Sequence, residues 1–228
     1  GILVKPELRN SAAHVFVTDL ENPELTDTDA HHLARVLRIK SDERITVCDG
    51  NGSWRTAILR EGAVVAVGEI RTQPVGLSAR LAFVPVKGDR TELIVQKATE
   101  IGVSEIVVIA PTARSVVKWD EKKSRNEIQR LIRISREAAM QSRRLFLPQI
   151  TGMLSVREVA ESGFVVAEPG GTAAGTQTAI AVGPEGGFAP EEVALFSGTV
   201  DLGTTILRAE TAAIVAALRA VDASTVRG

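Results

Sequence analysis

From residue 80 onwards, short apolar runs alternate with helix-like stretches, and this rhythm constrains the fold more than any other feature of the chain. The runs are 80–86 (RLAFVPV), 105–110 (EIVVIA), 164–167 (FVVA), 179–182 (AIAV) and 199–202 (TVDL). A strand that is apolar on both sides must be covered on both faces, so the pattern predicts a parallel sheet with helices on each side, an α/β domain. Between the runs, Asp89-x-x-Glu92 reads as a capping box opening a helix that stops at Gly102. A long helix is expected over 121–142, with Ile128, Leu131, Ile132, Ser135 and Ala139 on one stripe. A further helix is expected near 190–197. The last, 209–220, is rich in alanine and suited to close packing against a neighbour. The patch 170–176 (GGTAAGT) reads as a mobile loop.

The first third has a different rhythm. Segments 44–49, 54–60 and 63–70 are short and β-branched, and Asp49-Gly50-Asn51-Gly52 and Glu61-Gly62 punctuate them. Such pairs supply the positive φ angles that tight hairpins require. A short helix over 27–37, capped by Thr26 or Asp27, precedes them. The segment 71–79, with Pro74 and Gly76, reads as a linker. The division expected is 1–73 for a small β-barrel, 74–79 for the linker and 80–228 for the α/β domain.

With 228 residues, 44% hydrophobic and only 4% aromatic, the core must be aliphatic. The single cysteine, Cys48, excludes an internal disulfide and a multi-cysteine metal site. Its place in a strand reads as that of a small buried hydrophobe. No apolar run reaches the roughly 18 residues of a membrane helix, and no secretory signal is recognisable, so a cytoplasmic protein is expected. His31 and His32 are adjacent and share no helix face, which disfavours zinc; no metal is expected.

The net charge of −1 conceals an asymmetry: residues 80–150 carry 14 basic and 8 acidic side chains, whereas 151–228 carry 4 and 9. The basic residues cluster in 114–144. A local surface of this kind can hold a polyanion, or can be a solvated helix face with locally paired acids. Trp54 and Trp119 can stack on bases or serve as core.

Two glycine-bearing turns follow consecutive late strands: Gly183-Pro184-Glu185-Gly186-Gly187-Phe188, and Leu202-Gly203-Thr204-Thr205-Ile206-Leu207-Arg208-Ala209-Glu210-Thr211-Ala212. In parallel sheets ligands bind at the carboxyl ends of the strands, where glycine lets backbone approach them. Neither turn has the spacing of a dinucleotide or nucleoside-triphosphate loop.

The strings GPEGGF and LGTTILRAETA resemble the signature of the RsmE-type RNA methyltransferases of the SPOUT superfamily. His31-His32-Leu33 with Arg35-Val36-Leu37-Arg38, the Asp49-Gly50 turn, Lys87 with Glu92, Gln96 to Gly102, Arg114-Ser115, and Glu137-Ala138 with Gln141 and Arg144 are similar to the family along most of the chain. Thr205 stands where many relatives have Arg, and Ala189 where Ser or Thr is usual.

The resemblance implies a PUA-like barrel joined to a SPOUT domain whose C-terminal chain forms a trefoil knot, and a homodimer. It implies S-adenosylmethionine as cofactor, held by Val182, Gly183, Glu185, Gly186, Leu202, Gly203, Ile206, Leu207 and Arg208. The implied reaction is methylation of N3 of a uridine in 16S ribosomal RNA, within the small subunit or a late assembly particle. Arg35, Arg38, Arg114, Lys118, Arg143 and Arg144 are the RNA-binding candidates.

Loss of the N3 proton spreads negative charge onto the flanking carbonyl oxygens, which a cation would stabilise. Arg208 is the candidate, its other role being an ion pair with Glu185 or Glu210. Glu185 can orient substrate, accept the proton, or cap the helix that follows. Carbon methylation of uracil usually needs a cysteine nucleophile, a role that a buried Cys48 does not suit. Ribose 2′-hydroxyl or guanine-N1 methylation, and a non-catalytic RNA-binding assembly factor, are the alternatives.

Overall fold

The computed structural model describes residues 4–173 and 175–227. The chain divides into two compact units, one made of residues 1–76 and 139–147, the other of 77–138 and 148–228. Residues 139–147 thus separate from the segment 80–228 to which chain order assigned them.

The first unit carries α1 (Pro6–Arg9), β1 (His14–Phe16), α2 (Asp27–His31), β2 (Arg44–Cys48), β3 (Ser53–Arg60), β4 (Ala63–Ala66) and β5 (Arg71–Thr72). The strands form one sheet in the order β1-β2-β3-β4, with β5 also on β3; only β1 and β2 pair in parallel. Both hairpins form where the glycine turns placed them. Gly50 and Gly52 have φ of 75° and 100°, and Glu61 and Gly62 of 52° and 81°. The Asp49 carboxylate accepts the Asn51 and Ser53 amides at 2.8 and 3.0 Å, which closes the first turn.

Thr26 caps α2 by accepting the Asp29 amide. The helix expected over 27–37 ends early, passing at His32–Val36 into a wider π-type turn. The core is aliphatic: Val15, Leu33, Ile45, Val47 and Ala57 are buried. Trp54 is buried as well, under the Arg71 guanidinium 5.0 Å from its ring, and this places it in the core. Cys48 is buried, and burial pushes its thiol up to about 12.

The second unit is a six-stranded sheet, parallel throughout, in the order β11-β9-β10-β6-β7-β8. Its elements run β6 (Arg80–Phe83), α3 (Arg90–Ile101), β7 (Glu105–Ile109), α4 (Glu121–Gln141), β8 (Gln149–Leu154), α5 (Val156–Glu161), β9 (Val165–Ala173), β10 (Ala179–Val182), α6 (Pro190–Val193), β11 (Thr199–Asp201) and α7 (Ala209–Arg227). Alternate strand residues serve opposite faces. Leu81, Phe83, Ile106 and Val108 pack with α3, Leu131 and α7, whereas Ala82, Val107 and Ile109 pack with α5, Phe164 and Phe196.

Several expectations are corrected here. Asp89 makes no side-chain cap on α3. Thr91 instead accepts the Val86 amide at 2.9 Å, and Glu92 pairs with Arg130. The capping box that does form is Ser155 with Glu158 on α5, a helix absent from the sequence reading, as was strand β8. On α4, Leu131 and Ser135 are buried as expected but Ile132 is 40% exposed, and Ala139 packs with Trp54 in the first unit. The helix expected over 190–197 is a single turn. Of the loop expected over 170–176, residues 170–173 extend β9, where Thr172 and Ala173 pair with β11, while residue 174 lies outside the described residues. The alanines of α7, at 213, 216, 217 and 220, are buried within their own unit, so that face is not available to a second subunit.

His14 is buried between Thr46 Oγ1 at 2.7 Å and the Arg144 carbonyl oxygen at 2.8 Å. Burial lowers its pKa from 6.5 to about 4; the Arg144 carbonyl opposes this and the Arg143 charge adds to it. The unfolded chain therefore takes up a proton that the folded one refuses. This contribution to stability is complete above pH 6.5 and is lost as the pH falls towards 4, amounting to about 3 kcal/mol. Urea titrations of the wild type and His14→Gln across that window should converge towards low pH, and parallel curves would contradict the assignment.

Candidate active site

The strand order reverses between β6 and β10, so the turns after β10 and β11 emerge at the carboxyl edge of the sheet with β9 between them. They enclose a cavity of about 200 Å³. Of the residues expected to hold a cofactor, Val182, Gly183, Glu185, Leu202, Gly203, Ile206 and Leu207 line it; Gly186 and Arg208 do not. Ala167, Glu168 and Pro169 from the middle of β9 also line it, as do Asp201, Thr205 and Ala212.

Backbone chemistry shapes the walls. A Cβ on Gly183 would lie 3.0 Å from the Phe188 nitrogen, so the turn closes there only with glycine. A Cβ on Gly203 would meet no atom within 4 Å, which leaves bare backbone on the wall. Asp201, unremarked in the sequence, joins β9 to the turn after β11: its carboxylate accepts the Gly170 amide at 3.1 Å and the Gly203 amide at 3.2 Å.

Arg90 is the second residue that the sequence reading passed over. Its guanidinium meets Glu185 at 3.4 Å and Glu210 at 3.2 Å, and its Nε donates to the Lys87 carbonyl at 3.0 Å. Glu185 also accepts the Lys87 amide at 2.9 Å. Three segments, the loop before α3, the GPEGGF turn and the start of α7, are thereby tied together. Glu185 does not cap the following helix, whose N-cap is Ala189. Glu210 is held below the usual carboxylate range by its own amide, despite some burial, with Arg90 and then Arg208 adding to the effect.

Arg208 forms no salt bridge with a described residue, so the pairing with Glu185 or Glu210 considered for it belongs to Arg90. Arg90 was legible only as one basic residue in the turn Gly88-Asp89-Arg90, and nothing in its spacing marks two distant partners.

The basic candidates separate into groups. Arg114 and Lys118 are exposed, and the Arg114 carbonyl oxygen would stand 3.4 Å from a Cβ on Gly186, beside the GPEGGF turn. Arg35 and Arg38 are exposed in the first unit, and Arg38, with φ of 52° beyond the end of the helix, does not share a helical face with Arg35. Arg143 is structural: its guanidinium donates to the carbonyls of Met140, Gln141 and Ser11. Burial lowers the Arg144 pKa to about 10, and its carbonyl receives His14. No described helix is long and apolar enough to cross a membrane.

Residues 73–221 match the RNA methyltransferase domain family, and residues 25–65 match the RNA methyltransferase PUA domain. Over 223 residues the chain is 32% identical to ribosomal RNA small subunit methyltransferase E of Mycobacterium bovis, across 82% of this chain and 81% of that protein. The chain belongs to the ribosomal RNA small subunit methyltransferase E family. The family member from Bacillus subtilis is 29% identical over 222 residues, covering 84% of this chain and 86% of its own. The solved structure of the family member from Neisseria gonorrhoeae, bound to S-adenosyl methionine, matches with a TM-score of 0.76 at 27% identity, over 90% of this chain and 94% of that one. The first unit is accordingly PUA-like, and the parallel sheet of the second is the methyltransferase fold of this family.

Asp201→Ala leaves two amides without their acceptor, at a cost of about 1–2 kcal/mol. Amide exchange should accelerate at Gly170 and Gly203 ahead of the rest of the sheet; unchanged exchange at both would show that the carboxylate does not hold them.

Proposed function

We propose that this chain transfers a methyl group from S-adenosylmethionine to N3 of a uridine in 16S ribosomal RNA. The observation that carries the reading is the cavity built by the GPEGGF and LGTTILRAETA turns, in a chain similar to small subunit methyltransferases over four-fifths of its length. The cavity suits this cofactor. Val182, Leu202, Leu207 and Ala212 present apolar surface to a purine, the bare backbone at Gly203 allows close approach, and the wall acids Glu168, Glu185 and Asp201 suit a ligand bearing positive charge. At about 200 Å³ the space encloses part of the ligand and leaves the remainder at the mouth.

S-adenosylmethionine supplies an electrophilic methyl group. The protein's part is to align the acceptor with it and exclude water. Arg208 stands just outside the cavity and forms no ion pair with a described residue. We assign it to the uridine carbonyl oxygens on which charge develops as the N3 proton leaves. Glu185, already engaged by the Lys87 amide and by Arg90, holds the turn in place. Thr205, on the cavity wall where many relatives have Arg, supplies no cation there, and Arg90 is engaged by Glu185 and Glu210, which leaves Arg208 and Arg114 for the RNA. Arg114, Lys118, Arg35 and Arg38 contact the phosphates of the RNA, and Arg143 and Arg144 support the fold.

The knot loops implied by the resemblance are these two turns. A homodimer would use the outward side chains Leu93 on α3 and Leu218 on α7, which are 38% and 48% exposed. The reading places the protein in the cytoplasm, on the small subunit or a late assembly particle.

Incubation with labelled cofactor and unmodified small subunits, followed by nucleoside identification, tests the reaction. Label in 3-methyluridine is the expected result; label in a 2′-O-methyl or guanine product would sink the assignment. Arg208→Ala should lower kcat by about 10²–10³ with cofactor affinity intact. Gly203→Val should weaken cofactor binding about ten- to a hundredfold by filling the wall, measured calorimetrically without RNA.

A further inference from the structure

A larger cavity, of about 690 Å³, opens on the other side of β6 from the cofactor-type site and shares no lining residue with it. Its walls come from Ala110 and Pro111 after β7, Gly152 and Met153 in β8, Trp119, and the first turns of α4. We propose that this cavity takes an unpaired nucleobase of the RNA substrate, stacked on Trp119 and read along its edge by Asn126 and Gln129. The proposal rests on the reading of the chain as an RNA methyltransferase.

The chemistry of the walls selects this ligand. Trp119 is half-buried, with one part packed on the main core and another lining the cavity. Ile128 and Met153 extend that apolar surface. The carboxamides of Asn126 and Gln129 make no hydrogen bond to a described residue. Each offers a donor pair and an acceptor, the pattern needed to read a base edge.

The acids in the lining are already engaged. Asp120 caps the helix by accepting the Lys123 amide at 2.7 Å, and Glu121 pairs with Arg125 at 3.3 Å. Because the helix start is capped in this way, it does not compete as an anion site. Lys118, Lys122 and Lys123 stand exposed in the same stretch and suit the phosphates on either side of a base. Two strand spacings, about 10 Å, separate β10 from β7. The base held here is therefore a neighbour of the methylated one, and the cavity sets where along the RNA the target falls.

The test uses the whole protein and a fluorescently labelled single-stranded RNA of roughly ten nucleotides. Titration with unlabelled RNA should quench Trp119 emission, while buried Trp54 stays constant. Trp119→Ala should weaken RNA binding about ten- to a hundredfold, and Trp119→Phe should restore most of it. The double variant Asn126→Ala, Gln129→Ala touches no core packing and should weaken binding while leaving the melting temperature and S-adenosylmethionine affinity unchanged. RNA affinity unaltered in both Trp119→Ala and the double variant would overturn the proposal, as would equal losses of RNA and cofactor affinity. A wild type that methylates small subunits yet shows no quench defeats this inference alone. Absence of both cofactor binding and methylation defeats the functional reading, and the quench still reports on the cavity.

Discussion

Strand β10 pairs in parallel with β6 on one side and β9 on the other, and that double pairing organises the second unit. Because all its neighbours run in the same direction, the turns after β10 and β11 leave from the same edge, with β9 between them. Each of those turns must then bury or bond its backbone groups against the others. Gly183 does so by close packing on Phe188, and Asp201 by capturing two amides. The cavity is the space left where two turns meet β9 without side chains large enough to fill it.

Electrostatics completes what the backbone begins. The last third of the chain is acidic, and three of its carboxylates stand on the cavity wall. Arg90, from the edge of the basic middle third, compensates one of these and also Glu210. With 28% of its side chain exposed against 13% for Glu210, the pair is shielded enough from water to fix geometry. One guanidinium can bridge two carboxylates because its donors spread in a rigid plane, which a lysine cannot reproduce. Arg208 is left without a salt bridge to a described residue as a result. The division of labour between the two arginines depends on geometry across 120 residues of sequence.

The parallel sheet was legible because β6, β7 and β10 are apolar on both sides, and the hairpins because glycine pairs mark positive φ. The cavity-lining glycines were legible as turns, and their meaning came through the GPEGGF and LGTTILRAETA strings. Strand β8 was not legible: QITGML lacks both alternation and an apolar run, and pairing with β7 alone makes it a strand. Asp89-x-x-Glu92 has the letters of a capping box but Arg130 takes the glutamate, whereas Ser155 and Glu158 form one on α5. Arg143 reads as a surface cation in any count of charge. Only the fold shows its guanidinium turned onto three carbonyl groups. Such many-to-one contacts leave no periodic trace.

The first unit draws residues 139–147 from far along the chain, and this bears on how the protein comes into being. Cys48, Trp54 and His14 are sealed by Ala139, Leu145 and the Arg144 carbonyl. A growing chain that has emerged only as far as residue 76 holds the five strands but lacks these covering groups, and its histidine has no acceptor for one nitrogen. Domains commonly complete themselves in order of synthesis, the N-terminal one first. Here the N-terminal unit must wait until the first part of the other, residues 77–138, has been made.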